Sequence, residues 1–349
     1  MMTSMTLDVI ARLPGYRPHI WTEHGLIVSR HSGLFVIPDL ALPSPVLIDR
    51  IPWRLTQNLA RVRLVDRALR WSIQFAHPGA AGDWLVANDS GWWLVGAHRK
   101  IASIPRFSGT RPMQRGACTG AGGSVYIADY LGNADRSLPV RVHRTQDLRH
   151  FDIAWQFDPG LVRHVHALIR SPNDNRRIWV LTGDRDSESC ILYTDDEFAS
   201  VHTFLAQGQQ TRATDLIERH EQVIWGMDSP STPPWIMSAP REDPDSVRAV
   251  CRLPGPAYYL SQNEAGAVYV GTTVEPGVAV SDRCGHVLGL RPDGAWREVS
   301  RRRKDAFPQH GMFLLPSGVL PSDYFVHYQR ALRPDEGCML ITRDRDWPE

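Results

Sequence analysis

The feature of this chain that most constrains its fold is a sequence pattern that recurs about every 45–55 residues. In each copy, an apolar segment of strand length is followed by a second one that carries an aromatic residue and often ends near an acid. The clearest copies are residues 163–169 with 178–184, and residues 211–217 with 224–228, which are offset by about 48 residues. Short apolar and aromatic segments bounded by turn residues are typical of β-strands.

The aromatic residue of the second segment gives the spacing of the repeats. Adjacent marks lie about 42–56 residues apart, at Phe35, Trp84, Tyr126, Trp179, Trp225, Tyr269 and Phe325. A unit of about four strands with this period cannot bury both faces alone, and it is the signature of a β-propeller blade. We therefore predict an all-β fold, a β-propeller with seven blades. Six blades is the alternative, because the first 60 residues are the least regular.

Propeller blades stack side by side, so we expect a single domain over residues 1–349 although the length alone suggests two. The last unit has no fourth strand of its own before the chain ends. Residues 7–13 have the pattern to supply it. Pairing of the N-terminal and C-terminal strands would close the ring and remove an exposed sheet edge.

Charge and composition exclude several classes of partner. A net charge of +1 gives no strong attraction to nucleic acid or to an anionic membrane. Residues 1–18 lack the pattern of a secretory signal, and no apolar run approaches the ~18 residues of a membrane span, so we expect a cytoplasmic protein without membrane insertion.

The 5 cysteines are odd in number, scattered and without a CxxC pair, which favours reduced thiols. We expect a monomer.

Two histidines on one predicted first strand are the leading candidates for chemistry. Strand alternation puts the side chains of His164 and His166 on the same face, with about 6.5–7 Å between them along the strand. On the innermost strand of a blade they would face the central channel. Such a pair can bind a divalent metal or act as acid and base near neutral pH. We predict that both are catalytic, and we leave the need for a metal open; the alternative is one local hydrogen bond and one packed ring.

A carboxylate lies at or just after the second strand in four successive units, at Asp129, Asp184, Asp228 and Glu275. A lone acid at this place is usually a turn former, and Asp129 fits that interpretation. Four of them would converge on one face of a propeller. We predict that Asp228 and Glu275 are catalytic and that Asp184 binds substrate. Glu275 precedes a proline, which favours an extended backbone that projects its side chain.

Three basic residues complete the predicted substrate-binding set. Arg212 takes the place in its unit that the histidines take in the preceding one, and a guanidinium suits the carboxylate or sulfate of a sugar. The alternative is an ion pair with Asp184 or Asp228. Lys304 lies in a basic run, residues 301–305, which we predict to be a loop, and His310 begins the first strand of the last unit.

Turn motifs carry a family resemblance. Three segments resemble degenerate Asp-boxes, the turn motif of sialidase-like (BNR-repeat) propellers: residues 191–198 with Phe204, residues 145–147 with Trp155, and residues 291–296. More widely, residues 115–345 resemble bacterial propellers of this type, which are often found near polysaccharide genes. The resemblance implies that the Asp side chains cap their own hairpins and are not catalytic. Sialic-acid recognition is not carried over, because the Arg-Ile-Pro sequence at residues 50–52 lies late in its unit.

These features together predict a carbohydrate-active β-propeller. It would be a glycoside hydrolase or a polysaccharide lyase that acts on an acidic glycan at one mouth of the central channel. Hydrolysis needs two carboxylates beside the scissile bond, whereas elimination needs a base and a cation next to the sugar carboxylate. The histidines and Arg212 fit a lyase at least as well. The alternative is a non-catalytic propeller that binds glycan or protein in polysaccharide biosynthesis.

Overall fold

The computed structural model describes residues 7–52, 55–79, 82–96, 102–104, 110–277, 280, 282–291 and 293–344. About 50% of the chain is strand and 6% is helix, so the protein is all-β. Contacts group the described residues into two compact units. Unit 1 draws on Met1–Arg30, Phe35–Val46 and Glu221–Glu349, and unit 2 on His31–Leu34 and Leu47–His220. The single domain over residues 1–349 stays a prediction.

The first half of the chain contains seventeen strands and two helices before residue 206 among the described residues. The strands are β1 Asp8–Pro14, β2 Arg17–Thr22, β3 Gly25–Arg30, β4 Gly33–Ile37, β5 Val46–Arg50, β6 Phe75–Pro78, β7 Asp83–Asn88, β8 Gly91–Gly96, β9 Ala102–Ile104, β10 Ala117–Thr119, β11 Val125–Ala128, β12 Val140–Thr145, β13 Asp152–Phe157, β14 Val165–Arg170, β15 Ile178–Thr182, β16 Cys190–Thr194 and β17 His202–Leu205. A 3-10 helix, Leu55–Arg61, and a short α-helix, Arg63–Leu69, separate β5 from β6.

The second half continues with short strands. They are β18 Leu216–Arg219, β19 Gln222–Gly226, β20 Trp235–Pro240, β21 Arg248–Arg252, β22 Ala257–Asn263, β23 Val268–Val274, β24 Cys284–Leu290, β25 Trp296–Lys304, β26 Gly311–Leu314, β27 Val319–Leu320, β28 Tyr324–Arg330, β29 Leu332–Arg333 and β30 Cys338–Arg343. Two more 3-10 helices are Gly208–Gln210 and Pro244–Ser246. Among the residues that the structure describes, no helix has the length and apolarity to cross a membrane.

Unit 2 is built from antiparallel four-stranded sheets in which strands that follow each other in the chain are neighbours. The sheets are β6–β9, β10–β13 and β14–β17. Their second strands carry the aromatic marks of the sequence repeat, Trp84, Tyr126 and Trp179, all buried. Tyr126 and Val142 of one sheet pack in one apolar cluster with Leu168 of the next. The second strands β7, β11 and β15 are buried along their whole length, on both faces of their sheets.

Unit 1 contains two further antiparallel four-stranded arrangements. One is β22–β25; the other has the order β26, β28, β30, β1 and is joined to the first where β23 pairs with β26. The strand β1 pairs with β30 from Asp8 opposite Arg343 to Pro14 opposite Cys338. The N-terminal segment therefore does supply an edge strand to the C-terminal sheet. The closed ring and the number of blades stay predictions.

Two local predictions were wrong. Phe35 was predicted to lie in the second strand of its unit. It lies in β4, which is the third of the four strands β2–β5. The pattern missed β2 because Pro18 and His19 interrupt its apolar residues. The basic run is not a loop: residues 301–304 belong to β25, where Arg301 pairs with His286 of β24. Long basic side chains tolerate a strand because their stems cover the sheet while their charged ends reach water.

Candidate active site

The hairpin of β14 and β15 brings the predicted histidines to one predicted acid within unit 2. His164 directly precedes β14, and His166 lies in it where the pairing with β15 is irregular, between Val165 and Ala167. Val165 pairs with Thr182 at the end of β15, and Asp184 follows two residues later. Both imidazoles are 2% exposed, whereas the Asp184 side chain is 18% exposed. The site therefore has buried imidazoles and a carboxylate at its rim.

Backbone carbonyl groups fix the protonation of both imidazoles. His164 Nδ1 donates to the carbonyl oxygen of Leu131 at 3.0 Å, and His166 Nδ1 donates to that of Ala213 at 2.9 Å. Because a carbonyl oxygen only accepts, each Nδ1 carries a proton, and the neutral tautomer leaves a lone pair on each Nε2. The two Nε2 atoms nevertheless lie 3.1 Å apart. Two lone pairs at this distance require a proton or a metal ion between them.

The Asp184 carboxylate adds a third acceptor to the same point. Its oxygens lie 3.7 Å from His164 Nε2 and 3.5 Å from His166 Nε2. Burial alone would raise the pKa of Asp184, but the hydrogen bonds and positive charge that the two histidines supply when their Nε2 atoms hold a proton outweigh it and hold that pKa well below the usual range. The group is therefore a carboxylate at neutral pH.

Arg212 and Arg163 flank the carboxylate. Arg163 Nη1 lies 2.7 Å from Asp184 Oδ2, and Arg212 Nη2 lies 3.3 Å from Oδ1. Arg212 also donates through Nη1 to the Asp184 carbonyl oxygen at 3.1 Å. The predicted alternative of an ion pair between Arg212 and Asp184 is therefore present in the structure. Sequence reasoning missed Arg163, although it stands next to His164 in the best copy of the repeat.

Asp184 has an unusual backbone conformation for a residue other than glycine. Its φ is +143°, and its carbonyl oxygen accepts from Gln209 Nε2 at 3.0 Å as well as from Arg212. Residues held in such sparsely populated conformations cluster at functional sites, where the surrounding structure maintains them. The two donors hold the Asp184 peptide group, which keeps its carboxylate directed at the imidazoles.

A second layer of contacts supports this arrangement. Glu188 is buried and accepts from the backbone N–H groups of Arg163 and Arg185 at 2.8 and 2.9 Å, and it pairs with the guanidinium of Arg136. Tyr130 stacks on the His164 ring with centroids 4.0 Å apart. Neither Glu188 nor Tyr130 belongs to the predicted set, because each comes from an irregular segment without a motif.

His164, His166 and Asp184 form a group that can hold a metal ion. One nitrogen or oxygen atom from each lies within 4.8 Å of the others, and it is the only such group of three within the described ranges. Without a metal, the same arrangement can hold a proton between two imidazoles beside a carboxylate. In both states a positive charge lies next to Asp184.

The remaining candidates lie in unit 1. Glu275 is 11% exposed; its carboxylate lies 3.4 Å from His310 Nδ1 and accepts from Thr273 Oγ1 at 3.3 Å. Lys304 ends β25, and its Nζ donates to the carbonyl oxygen of Phe307. A cavity of about 580 Å³ borders on Glu275 and Lys304. Glu275 thus pairs with His310 and lines the same cavity as Lys304.

The other two predicted acids have different surroundings. Asp228 follows β19 in unit 1 and is buried at 3% exposure. Asp129, in unit 2, accepts from the backbone N–H of Arg141 at 3.1 Å and lies 3.2 Å from His143 Nε2. These contacts of Asp129 reach the neighbouring strand β12 and not the turn that follows Asp129, so its role as a turn former stays a prediction. The convergence of all the predicted residues on one mouth stays a prediction.

The turns with the Asp-box pattern are held by their own side chains. Asp147 Oδ1 accepts from the backbone N–H groups of Arg149 and His150, each at 2.8 Å. Asp196 accepts in the same way from Ser200 at 2.9 Å. These carboxylates stabilise hairpins.

Comparison with known proteins shows the fold. Neither a protein-family model nor a curated protein sequence matches the chain. Among solved structures, it is similar to a catalytically inactive virginiamycin B lyase from Staphylococcus aureus bound to quinupristin, with a TM-score of 0.60 and 8% identity over 98% of this chain and 99% of that one. It is also similar to the WD40 β-propeller domain of Doa1, with a TM-score of 0.54 and 9% identity over 99% and 100% of the chains.

These similarities define the class of protein. Both cover nearly the whole length of each chain, so the fold is a β-propeller. At 8–9% identity they show the fold alone. The membership in the sialidase-like family that the turn motifs suggested is not established.

Proposed function

We propose that this chain is a carbohydrate-active β-propeller enzyme that cleaves an acidic glycan by elimination. The reaction centre is the group of His164, His166 and Asp184, and Arg163 and Arg212 bind the carboxylate of the sugar. The observation that carries the proposal is the meeting of two buried Nε2 lone pairs, 3.1 Å apart, beside a carboxylate that two arginines flank.

The charge of the centre favours an anionic substrate. Two guanidinium groups and one carboxylate give the centre a net charge of +1 while the imidazoles are neutral. The proton or metal ion between the two Nε2 atoms adds further positive charge. Arg163 and Arg212 are 34% and 17% exposed, so part of each guanidinium is accessible from solvent. A guanidinium binds a carboxylate through paired N–H groups. A uronic acid unit has the matching charge.

Elimination fits the residues better than hydrolysis does. A glycoside hydrolase needs two carboxyl groups on either side of the scissile bond. Among the described residues of unit 2, Asp184 is the carboxylate in contact with the imidazole pair, whereas Glu188 is engaged by Arg136 and two backbone N–H groups. Elimination instead needs a base and a cationic neighbour for the sugar carboxylate.

The proton balance of the step follows from this arrangement. A base removes the proton from the sugar carbon next to the carboxylate. The electron pair of that C–H bond forms a carbon–carbon double bond, and the C–O bond to the leaving sugar breaks. The leaving oxygen takes up a proton. Arginine and the charge between the imidazoles stabilise the negative charge that develops on the carboxylate. In the metal-free protein, the base is the Nε2 lone pair of one imidazole, and the proton held between the two Nε2 atoms passes to the leaving oxygen, so the pair ends with one proton as it began.

A related fold supports an elimination reaction only in general terms. The S. aureus protein with the similar fold is a lyase by name. At 8% identity the similarity shows the fold alone and transfers no residue.

Incubation with uronate-containing oligosaccharides tests the proposal. Elimination creates a double bond conjugated to the carboxylate, which absorbs ultraviolet light, whereas hydrolysis releases reducing ends without that absorbance. We expect absorbance to increase with the protein and to vanish with His166→Ala. The control His150→Ala changes a histidine that is 89% exposed and pairs with Asp147 on the surface, and it should leave the rate unchanged.

Three results would count against the proposal. Reducing ends without absorbance would indicate a hydrolase. Binding of oligosaccharide without turnover would indicate the non-catalytic alternative. Equal rates for His166→Ala and the parent protein would show that the reaction takes place elsewhere.

A further inference from the structure

We propose that His164, His166 and Asp184 bind one divalent first-row transition-metal ion of the zinc type. The ion would be a resident cofactor of the same site. What the metal does there depends on the proposed function, but its binding does not and is measured without substrate.

The hydrogen bonds of the site leave three acceptors facing one point. Both Nδ1 atoms are committed as donors to carbonyl oxygens, so both Nε2 atoms present lone pairs. Asp184 presents its carboxylate to the same point, at 3.5 and 3.7 Å from these nitrogens. Acceptors this close repel one another unless a cation lies among them. A single proton can bridge the two nitrogens, and Arg163 and Arg212 pair with the carboxylate, but a metal ion binds all three acceptors directly.

The distances match ligands of one ion. At metal–nitrogen distances of about 2.1 Å, the 3.1 Å between the Nε2 atoms corresponds to an angle of about 95° at the metal. With a similar metal–oxygen distance, the 3.5 Å from His166 Nε2 to Asp184 Oδ1 corresponds to about 113°. Both angles lie in the range of four-coordinate zinc sites, in which a catalytic metal keeps one position for water or substrate.

The surroundings of the histidines are those of metal ligands. A histidine that binds metal through one nitrogen usually donates its other N–H to a carbonyl oxygen or a carboxylate, which fixes the ring and its tautomer. His164 and His166 both do so, through Leu131 and Ala213. Both rings are also buried, and Tyr130 stacks on one of them. No rearrangement of these rings is needed before an ion binds.

The donor set decides the class of ion. Two imidazole nitrogens and one carboxylate oxygen suit zinc, iron, cobalt or nickel. Calcium and magnesium prefer sites made of oxygen atoms. The bound ion would add positive charge beside Arg163 and Arg212, where the sugar carboxylate of the proposed substrate binds.

Titration of the chelator-treated protein with Zn²⁺, followed by calorimetry, tests the inference. We expect one ion per chain and a thermal midpoint that increases with Zn²⁺ concentration. Asp184→Asn keeps the size and shape of the side chain and removes its charge. We expect this variant, and His166→Gln, to bind Zn²⁺ at least about 100-fold more weakly, since even an outer-shell change costs 10–100-fold. His150→Ala should bind like the parent protein.

Replacement by Co²⁺ identifies the ligands directly. Nitrogen and oxygen ligands in a four-coordinate site give intense visible bands without the near-ultraviolet charge-transfer band of a cysteine ligand. The chain has five free cysteines, so a sulfur band that His166→Gln leaves unchanged would show binding at cysteine and would overturn the inference.

The outcomes separate this inference from the proposed function. Elimination that persists after chelation, with no stoichiometric Zn²⁺ binding, would overturn the metal site and leave the lyase intact. Stoichiometric binding that Asp184→Asn abolishes, without turnover of any acidic oligosaccharide, would support the metal site and contradict the lyase. A folded Asp184→Asn variant with parent affinity would overturn the metal site in either case.

Discussion

Replacement of Glu188 by glutamine would show whether a buried charge holds the candidate site in place. Glu188 accepts from Arg136 Nε at 3.2 Å and from the backbone N–H groups of Arg163 and Arg185. Burial alone would raise the pKa of Glu188, but the Arg136 hydrogen bond and the two backbone N–H groups outweigh it and lower that pKa. The residue is therefore charged at neutral pH and positions Arg163 next to Asp184.

The structure gives the magnitude of the expected effect. Glutamine keeps the shape but leaves the Arg136 guanidinium, which is 9% exposed, without its counter-charge. It also turns an amide donor toward groups that are themselves donors. Removal of one partner from a buried ion pair typically costs about 3–5 kcal/mol. In a cooperatively unfolding unit of 150–250 residues, the size class of unit 2, a loss of this size lowers the thermal midpoint by roughly 6–20 °C.

Calorimetry of Glu188→Gln beside a matched variant measures this cost. Asp195→Asn removes another bidentate partner of an arginine in unit 2, with both contacts to Arg177 at 2.9 Å, but that carboxylate is 35% exposed. This pair is part-buried, and even a fully exposed pair contributes about 0–1 kcal/mol, so its loss costs less than that of a buried pair. We expect Glu188→Gln to lower the thermal midpoint several times more than Asp195→Asn. Equal shifts would refute the idea that burial makes this carboxylate important.

Two further predictions concern binding and pH. Arg212→Lys removes the two-point contact with the carbonyl and carboxylate groups of Asp184. We therefore expect KM for an acidic oligosaccharide to rise about tenfold, with a smaller change in kcat. An unchanged KM would contradict the role of Arg212. Burial lowers the pKa of His77 to about 4, so between pH 6.5 and 4 the unfolded chain binds a proton that the folded chain does not. The free energy of unfolding therefore decreases as the pH falls from 6.5 to 4, and the decrease reaches roughly 3 kcal/mol at pH 4. His77→Gln should flatten the decrease in the free energy of unfolding measured at pH 7 and pH 4.5, and an equal decrease in both proteins would refute the assignment.

Local patterns made part of the fold and of the site predictable. Strands that are apolar on both faces and carry one large aromatic residue need cover on both sides, so the repeat itself implied stacked sheets. The pair of His164 and His166 was predictable because residues two apart on a strand share a face. The position of Asp184 after β15 followed from the same hairpin. The β2 strand and the basic strand β25 were missed, because prolines and long charged side chains weaken the apolar pattern without preventing strand pairing.

Tertiary structure alone decided what the site can do. The carbonyl groups of Leu131 and Ala213, each more than thirty residues from the histidine that it contacts, fix both tautomers and so create the facing lone pairs. Glu188 became important only because Arg136, distant in sequence, lies beside it in the fold. The sequence by itself thus determined the repeat and the local pairing of the histidines, since both depend on neighbours along a strand. The protonation of those histidines and their capacity for metal depend on long-range contacts, which no local pattern encodes.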